Sequence, residues 1–154
     1  MNVQQKQKQK GFTIIEVVLV LAIAGLIFLM VFIALPALQR SQRDTQRKQD
    51  LSRAITKIND YQSNNRNKLP TNWTDFANNY LKVGGDSFTD PAGEDYKFQA
   101  GPINSSATFD SANPVIYHTD HAVCNGESLT TNQGANKVAL QMKLEGGGIA
   151  CSSN

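Results

Sequence analysis

The chain has 154 residues, enough for one ordinary domain and too few for two. A net charge of +2 gives no general argument for nucleic acid, and the absence of a phosphate loop, a nucleophile motif or H-E-x-x-H leaves an enzyme reading without support. With two cysteines and no CxxC or Cys/His set, the composition also argues against structural zinc, and no cofactor is expected.

In chain order, residues 1–11 carry Lys6, Lys8 and Lys10 and no acid, a cationic flank of the kind that stays cytoplasmic. From Phe12 to Leu38, 23 of 27 positions are apolar, the exceptions being Thr13, Glu16, Gly25 and Pro36. The uncharged stretch between Glu16 and Pro36 would span about 28 Å as a helix, close to the thickness of a bilayer's hydrocarbon core. A buried helix of a soluble protein is usually shorter and shows a polar stripe. The run therefore reads as membrane-resident, and Glu16 inside it is a functional-site candidate because a carboxylate there is costly. Gly25 and Pro36 are expected to kink this helix. Arg40, Arg43, Arg47, Lys48 and Arg53 flank its other end, so a Lys/Arg count alone does not orient the chain.

The residues from Gln39 to Asp50 contain no proline or glycine, so the helix should continue over 39–65. Leu51, Ala54, Ile55, Ile58 and Tyr61 recur with the spacing of a helix buried on one face. The basic residues along it, Lys57 included, read as a solvated face in preference to a nucleic-acid surface. A short helix is expected over 72–82, capped by Asn72 with Asp75 three residues on, and apolar through Trp73, Phe76, Ala77, Tyr80 and Leu81. The turn-rich segment that follows gathers Asp86, Asp90, Glu94 and Asp95. These are weak calcium candidates, because the spacing matches no EF-hand and the composition is ordinary turn chemistry. An antiparallel sheet is expected within 96–145. Val115–Cys124 forms one strand, and 137–145 forms a half-buried strand with Val138, Leu140, Met142 and Leu144 inward. Three glycines at 146–148 are expected to end it. His118, Asp120 and His121 form a cluster, but alternation on a strand turns His121 away, so they read as strand residues without a metal. Two cysteines in a chain with a membrane-targeting N-terminus favour a Cys124–Cys151 disulfide over two free thiols. Its loop of about 28 residues would contribute roughly 3 kcal/mol. Asn72-Trp73-Thr74 and Asn104-Ser105-Ser106 fit a glycosylation sequon weakly.

Lys10-Gly11-Phe12-Thr13, then Glu16, then the apolar run to Pro36, resembles the class III signal of type IV prepilins and pseudopilins. The resemblance implies an α+β fold: a long kinked N-terminal transmembrane helix packed against a small antiparallel sheet. It implies a leader over 1–11, a transmembrane and filament-core segment over 12–38, and a soluble head over 39–154 with a disulfide-bounded loop over 124–151. A peptidase that is also an N-methyltransferase would cut between Gly11 and Phe12 and methylate Phe12. Glu16 would then meet the Phe12 amine of a neighbouring subunit during assembly, on an assembly platform driven by an ATPase. Asp90-Pro91-x-Gly93-x-x-Tyr96 resembles an element that begins the sheet in many pseudopilins and some pilins. The implied product is a structural subunit, N-in and C-out in the cytoplasmic membrane, then carried on a surface pilus for motility, adhesion or DNA uptake. Alternatives are a type II secretion pseudopilin and a minor tip pilin that binds DNA or a host-cell receptor.

Overall fold

The structure, a computed structural model, describes residues 11–104 and 106–154. The leader lysines Lys6, Lys8 and Lys10, and Ser105 of the second sequon, lie outside the described residues. The chain divides into two compact units between Leu38 and Gln39. One helix, α1 (Ile14–Asn64), contributes to both.

In the first unit α1 is helical through Gly25 and Pro36, and residues 26–35 are wound throughout. Pro36 has no N–H, so the Phe32 carbonyl loses its helical donor. The apolar side chains of this unit have no protein cover: Ile14, Leu21, Phe28 and Phe32 are 85, 64, 65 and 75 % exposed. Of the described residues, this helix alone is long and apolar enough to cross a membrane.

In the second unit the same helix buries Leu51, Ala54, Ile55 and Ile58, at the spacing that puts them on one face. It ends where Arg66 and Asn67 turn to positive φ and the Asn67 N–H returns to the Gln62 carbonyl at 2.8 Å. The short helix α2 (Trp73–Phe76) continues as a π-helical turn over Ala77–Leu81. Asn72 Oδ1 caps α2 by accepting from the Thr74 and Asp75 N–H groups at 3.0 and 3.2 Å, and Asn72 Nδ2 donates to Asp75. Trp73 then stacks on Phe98 at 5.3 Å and meets Phe76 edge-on at 5.7 Å, while Phe76, Leu81, Phe88 and Tyr96 fill the core.

Strands β1 (Lys97–Ala100), β2 (Val115–Asp120), β5 (Val138–Lys143) and β6 (Ile149–Ser153) form one sheet in the order β1-β2-β5-β6. Strands β3 (Val123–Asn125) and β4 (Ser128–Thr130) form a separate hairpin. Four features depart from the sequence reading. First, the sheet is mixed: β2-β5 and β5-β6 are antiparallel, but β1 runs parallel to β2, with Lys97 opposite Val115. The connection from Gly101 to Pro114 is long enough to return the chain to the starting end of the sheet, as a parallel pair requires. Second, the sheet continues past 145. The glycines end β5 as expected, but Gly147 and Gly148, at φ +97 and +79, also turn the chain into β6, a strand that was not expected. Third, β5 is buried on both faces, since Ala139 and Gln141 are as covered as Leu140. Gln141 accepts from the Ile103 N–H at 3.2 Å and donates to the Glu127 carbonyl at 2.9 Å, so the crossover and the hairpin lie on its second face. Fourth, His121 at φ +58 breaks the expected 115–124 strand into β2 and β3.

Candidate processing and assembly segment

Helix α1 begins with a reciprocal cap. The Glu16 carboxylate accepts from the Thr13 backbone N–H at 2.8 Å and from the Thr13 hydroxyl at 2.9 Å. In return the Glu16 N–H donates to the Thr13 hydroxyl at 3.4 Å. This is a capping box, in which a Thr cap and a Glu three residues on satisfy each other's backbone donors. Only one carboxylate oxygen is used, so the other remains available to a cation. The sequence reading found Glu16 and missed Thr13, although the T-x-x-E spacing was visible. Phe12 lies just outside the cap and is 90 % exposed. A Cβ built on Gly11 or Gly25 would touch nothing within 4 Å among the described residues, so crowding by them does not demand glycine at either place.

In the head, the expected solvated basic face includes one residue that is fully buried. Arg47 donates from Nε and Nη2 to both oxygens of Asp90, at 2.6 and 2.9 Å, and both side chains are inaccessible to water. Its Nη1 reaches Asp44 at 3.0 Å and Glu145 at 3.3 Å, and Phe109 covers its guanidinium at 4.3 Å. Asp44 in turn accepts from the Glu145 and Gly146 N–H groups at 2.9 and 2.7 Å, fixing the start of the β5–β6 turn. Arg43 grips Glu145 in a two-point pair at 2.8 and 2.6 Å. A charge in this position costs free energy unless paired and hydrogen-bonded, and here each partner is. The available signal was periodic: Asp44 and Arg47 continue the Leu51–Ala54–Ile58 stripe toward the N-terminus.

Hydrogen bonds from Arg43, seconded by Arg47, hold the Glu145 carboxyl down to about 2. Because the folded value is depressed, its contribution is complete above the unfolded value near 4.5 and is lost as pH falls toward 2. A fifth of the side chain is in water, which limits the effect to about 1 kcal/mol. The urea midpoint of wild type should therefore fall more between about pH 5 and pH 2.5 than that of Glu145→Gln. Parallel pH profiles for the two proteins would rule this out.

The other candidates read from the sequence do not converge. Asp90 is committed to Arg47, Asp86 to Arg53, and Asp95 to Lys82 at 2.8 Å, while Glu94 is exposed, so the calcium candidates are not brought together. Among the described residues no cluster of three potential metal ligands occurs. His118 stacks on Trp73 at 4.1 Å, and its Nδ1 lies 3.6 Å from Asp120, too far for a hydrogen bond. Burial lowers the pKa of His118, an effect that Asp120 opposes. His121 stands apart in the turn after β2. Asn72 of the first sequon is occupied as the α2 cap. Cys124 and Cys151 are joined in a disulfide, with Cα atoms 5.8 Å apart. Cys151 lies on β6 and not at the end of a loose tail, so the bridge fastens the β3–β4 hairpin to an edge strand.

A family profile described as the prokaryotic N-terminal methylation motif matches residues 6–32. Neither the curated proteins nor the solved structures compared with the chain give a match. The matched span runs from the leader lysines through the Thr13–Glu16 cap and into the uncovered apolar helix, and a helix-and-sheet head follows it. Residues 6–32 thus carry the N-terminal methylation motif, and that motif supports a type IV pilin-like or pseudopilin precursor.

Proposed function

We propose that the chain is a structural subunit of a type IV pilus, cut between Gly11 and Phe12 and methylated on the new Phe12 amine. The observation that carries this reading is the uncovered apolar face of α1 in its first unit, interrupted by one carboxylate at its N-terminal turn. Burial of some 20 apolar side chains, first in the bilayer and then against other subunits, supplies cohesion at about 25 cal/mol per Å². Gly11 supports cleavage there: the described residues have no steric need of it, whereas a peptidase cleft that must admit the backbone does. Gly25 and Pro36 lower the cost of local unwinding when the helix repacks. Phe12 and Glu16 act together in assembly, with the free oxygen of Glu16 meeting the methylated amine of the next subunit.

The domain plan follows. Residues 1–11 are removed, 12–38 occupy membrane and then filament core, and 39–154 form the exposed head. The Cys124–Cys151 bridge fits export to an oxidising compartment. Partners are the peptidase and methyltransferase, the assembly platform and further copies of the chain. A type II secretion pseudopilin is the second reading, favoured by the Asp90-Pro91-x-Gly93-x-x-Tyr96 element. A DNA-binding tip role is less favoured, because Arg43, Arg47, Arg53 and Lys57 each have a carboxylate partner.

Mass spectrometry of the protein taken from filaments tests the reading. The expected N-terminus is methylated Phe12 on a chain that has lost residues 1–11, and any other N-terminus overturns it. Filaments on the cell surface that disappear in a deletion strain separate the pilus from a periplasmic secretion role.

A further inference from the structure

The tip of the β3–β4 hairpin carries chemistry that neither the core nor the proposed assembly uses. Asn125 and Ser128 face each other across the ladder, and Gly126 and Glu127 alone join them. Gly126 stands at φ +64, as the first position of a two-residue type II′ turn requires. It also makes Asn125-Gly126 the one Asn-Gly pair in the chain. All four tip residues are exposed. The Gly126 N–H has no acceptor among the described residues, and a Cβ built there would meet nothing within 4 Å.

These are conditions under which an asparagine reacts with its own backbone. The Gly126 nitrogen, after losing its proton to solvent base, attacks Cγ of Asn125. A C–N bond forms and the side-chain amide leaves as ammonia. Water then opens the resulting five-membered imide at either carbonyl, giving aspartate or isoaspartate. One water enters and one ammonia departs, so no oxidant or metal is needed. A side chain on the following residue crowds the attacking nitrogen, and glycine has none. Every other asparagine with a successor is followed by a residue that carries a side chain.

Closing that ring folds the chain back at Asn125, which an extended and paired strand residue does not permit. The hairpin resists the fold from both sides. Asn125 is paired with Ser128, while Cys124 is bonded to Cys151 and donates its N–H to Ser153 Oγ at 3.2 Å. Beyond the glycine, the Glu127 carbonyl is held by Gln141 at 2.9 Å. Reaction therefore requires local opening, and its rate follows the open population.

We infer that Asn125 is a site of spontaneous deamidation, held in check by the β3–β4 hairpin and the bridge that fastens it. Conversion places a carboxylate beside Glu127. Isoaspartate also adds a main-chain carbon to a turn whose register depends on having two residues. The product thus records covalently how long the hairpin has stood open. The inference concerns the folded head and goes beyond the filament reading, on which it does not depend.

The test uses the full-length chain in detergent micelles, incubated in mildly alkaline buffer and digested for peptide mass spectrometry. Aspartate and isoaspartate should appear at residue 125 before any other asparagine converts. Wild type in urea sets the unrestrained rate, and the folded protein should convert at least about tenfold more slowly. Ser128→Pro removes the N–H opposite Asn125 and keeps the bridge. It should convert about fivefold faster than folded wild type, the effect of one lost hydrogen bond. Cys124→Ser/Cys151→Ser should convert at least about tenfold faster, with Trp73 fluorescence reporting that the head is still folded. Ser128→Pro retains the bridge, so its result stands even where the head unfolds without it. A different asparagine converting first would overturn the site. Equal rates for folded and urea-unfolded wild type, or for Ser128→Pro and wild type, would overturn the restraint by the hairpin.

Discussion

Arg47→Ala is expected to destabilise the head by about 3–5 kcal/mol, the range found when one partner of a buried ion pair is removed. Most of that cost would come from what is left behind. Asp90 would remain inaccessible to water with both oxygens stripped of their donors from Arg47, retaining only the Ala92 N–H at 2.9 Å. Asp44 and Glu145 would lose the cation between them, and Phe109 would lose the guanidinium beneath its ring. Since a small domain is stable by only about 5–15 kcal/mol, the variant should sit near its unfolding threshold. Urea unfolding of the full chain, followed by the fluorescence of the lone Trp73, measures this. The double variant Arg47→Met/Asp90→Leu should recover part of the loss, because two apolar groups of similar size leave no uncompensated charge on that axis. A loss below about 1 kcal/mol in the single variant would mean that water reaches Asp90 and that the pair is not buried in solution.

Replacement of Glu16 should abolish filaments while sparing insertion into the membrane, and two variants separate its two roles. Glu16→Val removes both the cap and the charge. Glu16→Gln can keep the reciprocal cap with Thr13, since a glutamine serves in a capping box as a glutamate does, but it cannot neutralise a neighbour's ammonium. Loss of the cap alone costs about 1 kcal/mol of helix stability, too little to prevent a strongly apolar helix from inserting. An ammonium left without a counter-ion in apolar surroundings costs several kcal/mol per subunit contact. Both variants should therefore reach wild-type membrane levels and yield at least about tenfold fewer filaments. Normal filaments from Glu16→Val would sink the assembly role. Normal filaments from Glu16→Gln alone would assign Glu16 to helix capping and not to subunit pairing.

The N-terminal segment and the head helix were readable because each signal is local. A run of apolar residues at membrane length, a glycine before it and a stripe at helical spacing can all be read within a window of a few turns. The Asn72 cap and the existence of a strand over 138–143 were readable for the same reason, though its second covered face was not. What escaped depended on distant partners. The Arg47 guanidinium is buried because Asp90 and Glu145 lie 43 and 98 residues away, and a local reading assigns an arginine to water. The parallel β1–β2 pair depends on where the Gly101–Pro114 connection goes, which no periodicity encodes. The glycines at 146–148 do end β5, but flexibility looks the same whether a strand simply ends or turns back into another. Only the pairing of Gln141 with Cys151 distinguishes the two.

The position of β5 has a further consequence for synthesis. It lies between β2 and β6, and its turn is held by Asp44 near the start of the head. The chain emerges from the ribosome in N-to-C order, so Asp44, Arg47 and Asp90 appear long before Glu145. Until residues 138–153 follow, β2 has no antiparallel neighbour, the core around Leu51 and Ile58 lacks Val138, Leu140 and Met142, and Cys124 has no thiol to meet. The head is thus completed last, by its own final strand. A chain that stops short of residue 138 leaves this core open and exposed to proteolysis.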